Sequence, residues 1–136
     1  MYTVSLEKFI QKMKVKNLTP DVDTSGIWLH IPEVNRPALQ LTGFYNQFDN
    51  DRIQIIGNVE YSYLSSLSET DRYERYMQLL SSNIPCLVFC RDLEPEAKVI
   101  ELATKYKIPI LKSKAATSAF MAEVIRWLNV QLAPCI

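Results

Sequence analysis

The chain predicts an α/β fold, with a mainly parallel or mixed sheet carrying helices on both faces. Three observations lead there. Cys86–Cys90 is a continuous apolar run, Pro95–Tyr106 carries a helical stripe, and Ile108-Pro109-Ile110-Leu111 is apolar again. A strand, a crossover helix and a second strand of these lengths form a right-handed βαβ unit with parallel strands. Ile53–Ile56 also reaches Cys86 through helical sequence, which adds a third parallel strand and demands helices on both sheet faces.

Element by element, Ser5 is placed to cap a helix whose Leu6, Phe9, Ile10 and Met13 recur at helical spacing. Asn17–Gly26, punctuated by Pro20 and Gly26, reads as a loop or a short edge segment. Ile27–Ile31 is a strand stopped by Pro32. Pro37 fits the first turn of a helix and Gly43 a left-handed stop, so Pro37–Thr42 is a helix of fewer than two turns. Asn46–Arg52 is a polar loop before the strand Ile53–Ile56. Asn58 then starts a helix over Val59–Leu67. Ser68 caps another, with Asp71 in the box position and Tyr73, Tyr76, Met77 and Leu80 as the buried stripe. Pro95 opens a helix with Val99, Leu102, Ala103 and Tyr106 on one side. Thr117 caps the last, which runs to about Leu132.

Composition narrows the function. The 136 residues suit one domain with a sizeable core, and 15 basic residues balance 15 acidic ones. No global positive field exists to hold nucleic acid or an anionic membrane, and no run of five like charges occurs. Apolar runs are too short to span a bilayer, and the N-terminus lacks a secretory pattern, so a cytoplasmic location is expected. Cys86 and Cys90 share one face of a strand, roughly 13 Å apart at strand rise, too far for a disulfide. With Cys135 they read as free thiols.

Chemistry is thinly supplied. The three glycines, Gly26, Gly43 and Gly57, are far apart, so neither G-x-G-x-x-G nor G-x-x-x-x-G-K-[ST] is present. His30, the only histidine, lies in an apolar strand and reads as structural. Asp49 and Asp51 sit in a loop with Asn46, Gln47 and Asn50, a pattern more typical of a solvated turn than of a cation site. No catalytic, cofactor or metal residue is assigned. An anion site is the better candidate, because open parallel sheets present ligands at the carboxyl ends of their strands. Arg91, Lys112 and Lys114 follow two such ends, and Thr117 and Ser118 open the last helix nearby, with Arg36 joining if the sheet order allows. Ordinary solvated charges and caps are the competing reading. The last helix carries an apolar arc of roughly 160°, wider than the ~100° stripe of a surface helix. Trp127 and Val130 on that helix are candidate contacts to another domain or subunit; deeper burial in this domain is the alternative.

Several segments together resemble the amino-terminal domain of bacterial HPr kinase/phosphorylase. They include Ser5-Leu6-Glu7, Asn35-Arg36-Pro37, Leu39-Gln40-Leu41, Gly43-Phe44, Arg52-Ile53-Gln54 and Gly57. Others are Glu60, Tyr63-Leu64, Pro85-Cys86-Leu87-Val88, Leu93-Glu94-Pro95, Ile108-Pro109, Thr117-Ser118 and Leu132-Ala133-Pro134. Ala38 and Cys135 depart from the pattern, where glycine and a basic residue are common. The resemblance implies a non-catalytic assembly or regulatory domain over residues 1–132, with 133–136 starting a linker to a second domain. That second domain would carry the phosphate loop and bind HPr. The full family member is a homohexameric serine kinase and phosphorylase that uses ATP or pyrophosphate with Mg²⁺ in carbon catabolite regulation. The first domain is also similar to that of some Mur ligases, a likeness of fold. A stand-alone module sensing a phosphorylated metabolite at the strand ends is the alternative.

Overall fold

The computed structural model describes residues 2–134, so the free-thiol expectation for Cys135 lies outside the described residues. The chain opens with β1 (Val4–Ser5), α1 (Leu6–Met13), β2 (Lys16–Asn17), β3 (Trp28–Leu29), β4 (Val34–Asn35) and α2 (Ala38–Leu41). It continues through β5 (Ile53–Ile56), α3 (Asn58–Ser66), α4 (Glu69–Leu80) and β6 (Leu87–Phe89). It closes with α5 (Ala97–Tyr106), β7 (Ile110–Lys112) and α6 (Thr117–Gln131). The main sheet has the order β2-β7-β6-β5-β4. Its four strands β4 to β7 are parallel, and β2 runs antiparallel at the β7 edge.

Because β4, β5, β6 and β7 lie side by side in chain order, each right-handed crossover advances the same way and returns over the same face. The core bears this out. Ile56, Leu87, Phe89 and Ile110 meet Leu79, Leu80, Val99 and Ala103 on the face of α2 to α5. The alternate residues Ile53, Ile55, Val88 and Leu111 meet Phe9, Phe120, Val124 and Leu128 of α1 and α6 on the other. Period-two alternation thus splits fully buried strands between two clusters. Among the described residues no helix is long and apolar enough to cross a membrane.

Local signals account for the boundaries. Ser5 accepts a hydrogen bond from the Lys8 N–H, and Ser68 one from the Asp71 N–H, as N-caps do. Gly43 has φ +98°, the left-handed stop expected after α2.

Several expectations need correction. The strand Ile27–Ile31 shrinks to Trp28–Leu29 and pairs outside the main sheet, antiparallel with Val4–Ser5. Ser5 leaves that pairing at once to cap α1, which keeps the ribbon short. Strands Val4–Ser5 and Val34–Asn35 were not expected, and Lys16–Asn17 supplies the edge segment. Pro37 stands in the cap position of α2 rather than in its first turn. On α4, Leu79 replaces Met77 in the buried stripe, Met77 being 38% exposed. Thr117 is the first helical residue of α6, and Ala116 holds the cap position. Trp127 is only 9% exposed and packs on Phe9 at 6.1 Å between ring centroids, so it belongs to the core rather than to a contact face. Val130 is 68% exposed.

Candidate functional site

Where β4 ends beside the second residue of β5, the side chains form one polar cluster. Asn35 Nδ2 donates to Gln54 Oε1 at 2.7 Å and to Gln40 Oε1 at 3.1 Å, while Gln54 Nε2 donates to the Arg52 carbonyl at 2.9 Å. Gln54 is wholly buried, so these bonds offset the cost of desolvating its amide. They also fix the exit of β4 over β5, which carries the next residue, Arg36, to the end of the sheet.

Arg36 Nη2 lies 2.8 Å from Oε1 of Glu60, and the same oxygen accepts the Gly57 N–H at 2.7 Å. Glu60 is 3% exposed. Gly57 joins β5 to α3 alone, and its N–H would otherwise be an orphan of the helix start. On the opposite side of the sheet, α6 begins at Thr117. A Cβ added at Gly57 would stand 2.5 Å from Arg36 Nη2 and 2.7 Å from Thr117 Oγ1. Glycine is therefore required here by close approach, since the backbone itself is ordinary at φ −112°. Arg36 Nε and Thr117 Oγ1 are both buried without a hydrogen-bond partner among the described residues.

The structure thus brings Arg36 and Thr117 together and divides the rest of the expected anion site. Lys112 is already engaged: its ammonium sits 2.6 Å from Glu94 Oε2 and 3.3 Å from Asp92 Oδ1. Those bonds, Glu94's first, raise its pKa. Lys114 lines a separate cleft of about 540 Å³ with Lys14, Lys16 and Lys112, beside Asp92. Ser118 is exposed on the first turn of α6. Arg91 is exposed too, and its backbone N–H is tied to the Ala115 carbonyl at 2.9 Å. Arg91 and Asp92 both have φ +57°, a left-handed pair that turns the chain away from β6. Glu60 and Gly57 escaped the sequence reading of the site. The signal was available in Gly57, an apolar strand ending on a glycine with an acid three residues on.

Other candidate chemistry resolves into structure. His30 Nε2 pairs with Asp51 Oδ2 at 3.2 Å, and Asp49 Oδ1 accepts the Asp51 N–H at 3.1 Å. Among the described residues no group of three His, Cys, Asp or Glu could hold a metal ion. Cys86 and Cys90 are free and buried. Burial raises the pKa of both thiols, that of Cys90 to about 11 even though Arg36 and Arg91 favour its thiolate. The single-residue turn at Gly57 leaves no loop that could wrap a nucleotide's phosphates.

The family described as HPr serine kinase N terminus matches residues 4–128. The chain belongs to this family. An HPr kinase/phosphorylase of Lachnoclostridium phytofermentans is 49% identical over 136 residues, which cover 100% of this chain and 44% of that protein. One of Clostridium botulinum is 40% identical, covering 90% of this chain and 42% of the relative. One of Clostridium acetobutylicum is 34% identical, with 96% and 42% covered. The chain therefore spans less than half the length of these family members. A solved structure of the CBS and DRTGG domains of the regulatory region of Clostridium perfringens pyrophosphatase, complexed with diadenosine tetraphosphate, aligns with TM-score 0.57. Its 18% identity, over 96% of this chain and 47% of that one, shows the fold alone.

Proposed function

We propose that this chain is the non-catalytic assembly or regulatory domain of an HPr kinase/phosphorylase. The observation that carries this reading is the 49% identity to such an enzyme over the whole chain, confined to 44% of that enzyme's length. The chemistry of phosphoryl transfer belongs to the remainder. Transfer needs phosphates cradled by backbone N–H groups and, in most cases, a divalent ion. Here β5 enters α3 through Gly57 alone, and the acid at that turn, Glu60, is consumed by Arg36 and the Gly57 N–H. In this reading ATP or pyrophosphate with Mg²⁺, and HPr itself, bind the other domain, within a cytoplasmic bacterial homohexamer.

The test is titration of this chain against the separately produced remainder of the Lachnoclostridium enzyme. Binding, or a changed rate of HPr phosphorylation, is the expected result. No heat and no change in rate at high micromolar concentration would count against the role.

A further inference from the structure

The two-stranded ribbon of β1 and β3 stands outside the main sheet, and strand alternation gives it an inward and an outward face. Val4 and Leu29, paired in register, are buried in the core. Trp28 is turned the other way and is 54% exposed. Its register partner is Ser5, whose short side chain caps α1 and gives the indole no cover. Tyr2, just before the ribbon, is 47% exposed.

Two grooves meet on this side of the molecule. One, of about 460 Å³, is walled by Trp28, Pro85 and Tyr106 beside the amino ends of β6 and β7. The other, of about 420 Å³, is walled by Tyr2, Pro32, Leu132 and Pro134. His30 lines both, its Nε2 3.2 Å from Asp51 Oδ2. Rigid aromatic side chains set in grooves are what protein interfaces draw most of their energy from. The size of the surface then decides which partner it suits. Aromatic side chains bury about 150–250 Å² each, so Trp28 and Tyr2, already half covered, can add on the order of 200 Å² together. Stable association of separate chains takes about 800 Å² from each partner. A second copy therefore finds too little apolar area here. A tethered partner needs far less, because a short flexible connection holds it at an effective concentration of about a millimolar.

The relatives supply such a partner. The matched family describes an amino-terminal part, and this chain spans 44% of the Lachnoclostridium enzyme, so in that enzyme the remaining length follows the matched stretch. Residues 132–134, from which it would continue, stand in the wall of the second groove. We infer that the Trp28 face of the ribbon, with the two grooves joined at His30, is the surface on which the remainder of the kinase/phosphorylase docks. The inference rests on the accessory-domain reading above and gives that reading its contact surface.

The experiment is hydroxyl-radical footprinting, read by mass spectrometry. It compares the 136-residue chain alone with the same chain continued by the remainder of the Lachnoclostridium enzyme. In the continued protein Trp28 and Tyr2 should oxidise several-fold more slowly, at a rate independent of protein concentration. Phe44, exposed just after α2, should not change. Trp28→Ser should leave the melting temperature of the 136-residue chain unchanged and return Tyr2 to its unprotected rate in the continued protein. Phosphorylation of HPr by the continued protein reports separately on the accessory-domain reading. Turnover with Trp28 as reactive as in the chain alone would overturn the docking surface and leave that reading standing. Protection that grows with concentration in the chain alone would give the face to a second copy, and would overturn the inference too.

Discussion

Arg36 Nη2 and Glu60 Oε1 meet at 2.8 Å across the end of the sheet, 24 residues apart in sequence, and the carboxylate is almost wholly buried. A buried charge that loses its partner is far more costly than the pair is stabilising. Arg36→Met should therefore destabilise the fold by about 3 kcal/mol, read as a fall in the urea midpoint. The double variant Arg36→Met, Glu60→Gln should recover part of that loss, since it leaves no unpaired charge. Equal midpoints for the wild type and Arg36→Met would contradict the pairing.

Gly57→Ala should cost about 1–3 kcal/mol from overpacking alone. The added methyl meets a guanidinium nitrogen at 2.5 Å and the Thr117 side chain at 2.7 Å, while the backbone conformation is ordinary for alanine. Gly57→Ala in a Thr117→Ser background removes the contact with the threonine methyl and should lose less. Thermal melting of the two variants checks the order.

Trp127 and Val130 separate core from surface on one helix. Trp127→Ala should cost about 3–5 kcal/mol, because it empties the space against Phe9. Val130→Lys should stay within about 0.5 kcal/mol in the isolated chain. If the exposed Val130 meets another domain, the lysine variant will weaken binding to the remainder of the enzyme without altering the melting temperature.

The fold was legible where the sequence carries long, uninterrupted signals. The run around Val88 is apolar at every position and Ile53–Ile56 at all but Gln54, and Ser5 and Ser68 sit three residues before the N–H groups they accept. Two-residue strands such as Val34–Asn35 leave no period to detect, because their pairing is decided by the neighbours they meet. The site was half legible for a related reason. Arg36 and Thr117 were singled out by charge and by position at helix and strand ends. That Glu60 would neutralise Arg36, and that Glu94 and Asp92 would claim Lys112, depends on which strand lies beside which. Thr117 also misled as a cap: its side chain turns inward onto Gly57, and the glycine is what makes room for it.

The two thiols of β6 and its flanks should be inert in the folded chain. Burial holds the Cys86 and Cys90 thiols protonated at neutral pH, and the thiolate is the reactive form. Peptide mapping after native iodoacetamide treatment should find both unmodified, and urea should expose both. Rapid native labelling of Cys90 would contradict its placement.

Glu96 ties α4 to the start of α5 through Arg72, Nε to Oε1 at 2.6 Å, and through the Tyr73 hydroxyl at 2.8 Å. Arg72's hydrogen bond, then Tyr73's, holds its carboxyl below the ordinary range. A depressed carboxylate contributes stability that is present above its unfolded pKa, about 4.3. That contribution is lost as pH falls through the lower folded value. The stability gap between the wild type and Glu96→Gln should therefore be largest near neutrality and narrow towards about pH 3. Urea midpoints across that range provide the check, and a gap that widens in acid would contradict the pairing. The pair is partly exposed, so its contribution will be modest and salt-sensitive.

The measurement closest to the central claim is mass spectrometry of HPr after incubation with the purified 136-residue chain, ATP and Mg²⁺. A parallel arm starts from seryl-phosphorylated HPr with inorganic phosphate. HPr should keep its mass in both arms, and turn over once the remainder of the enzyme is added. Formation or removal of phosphoserine by this chain alone would contradict it.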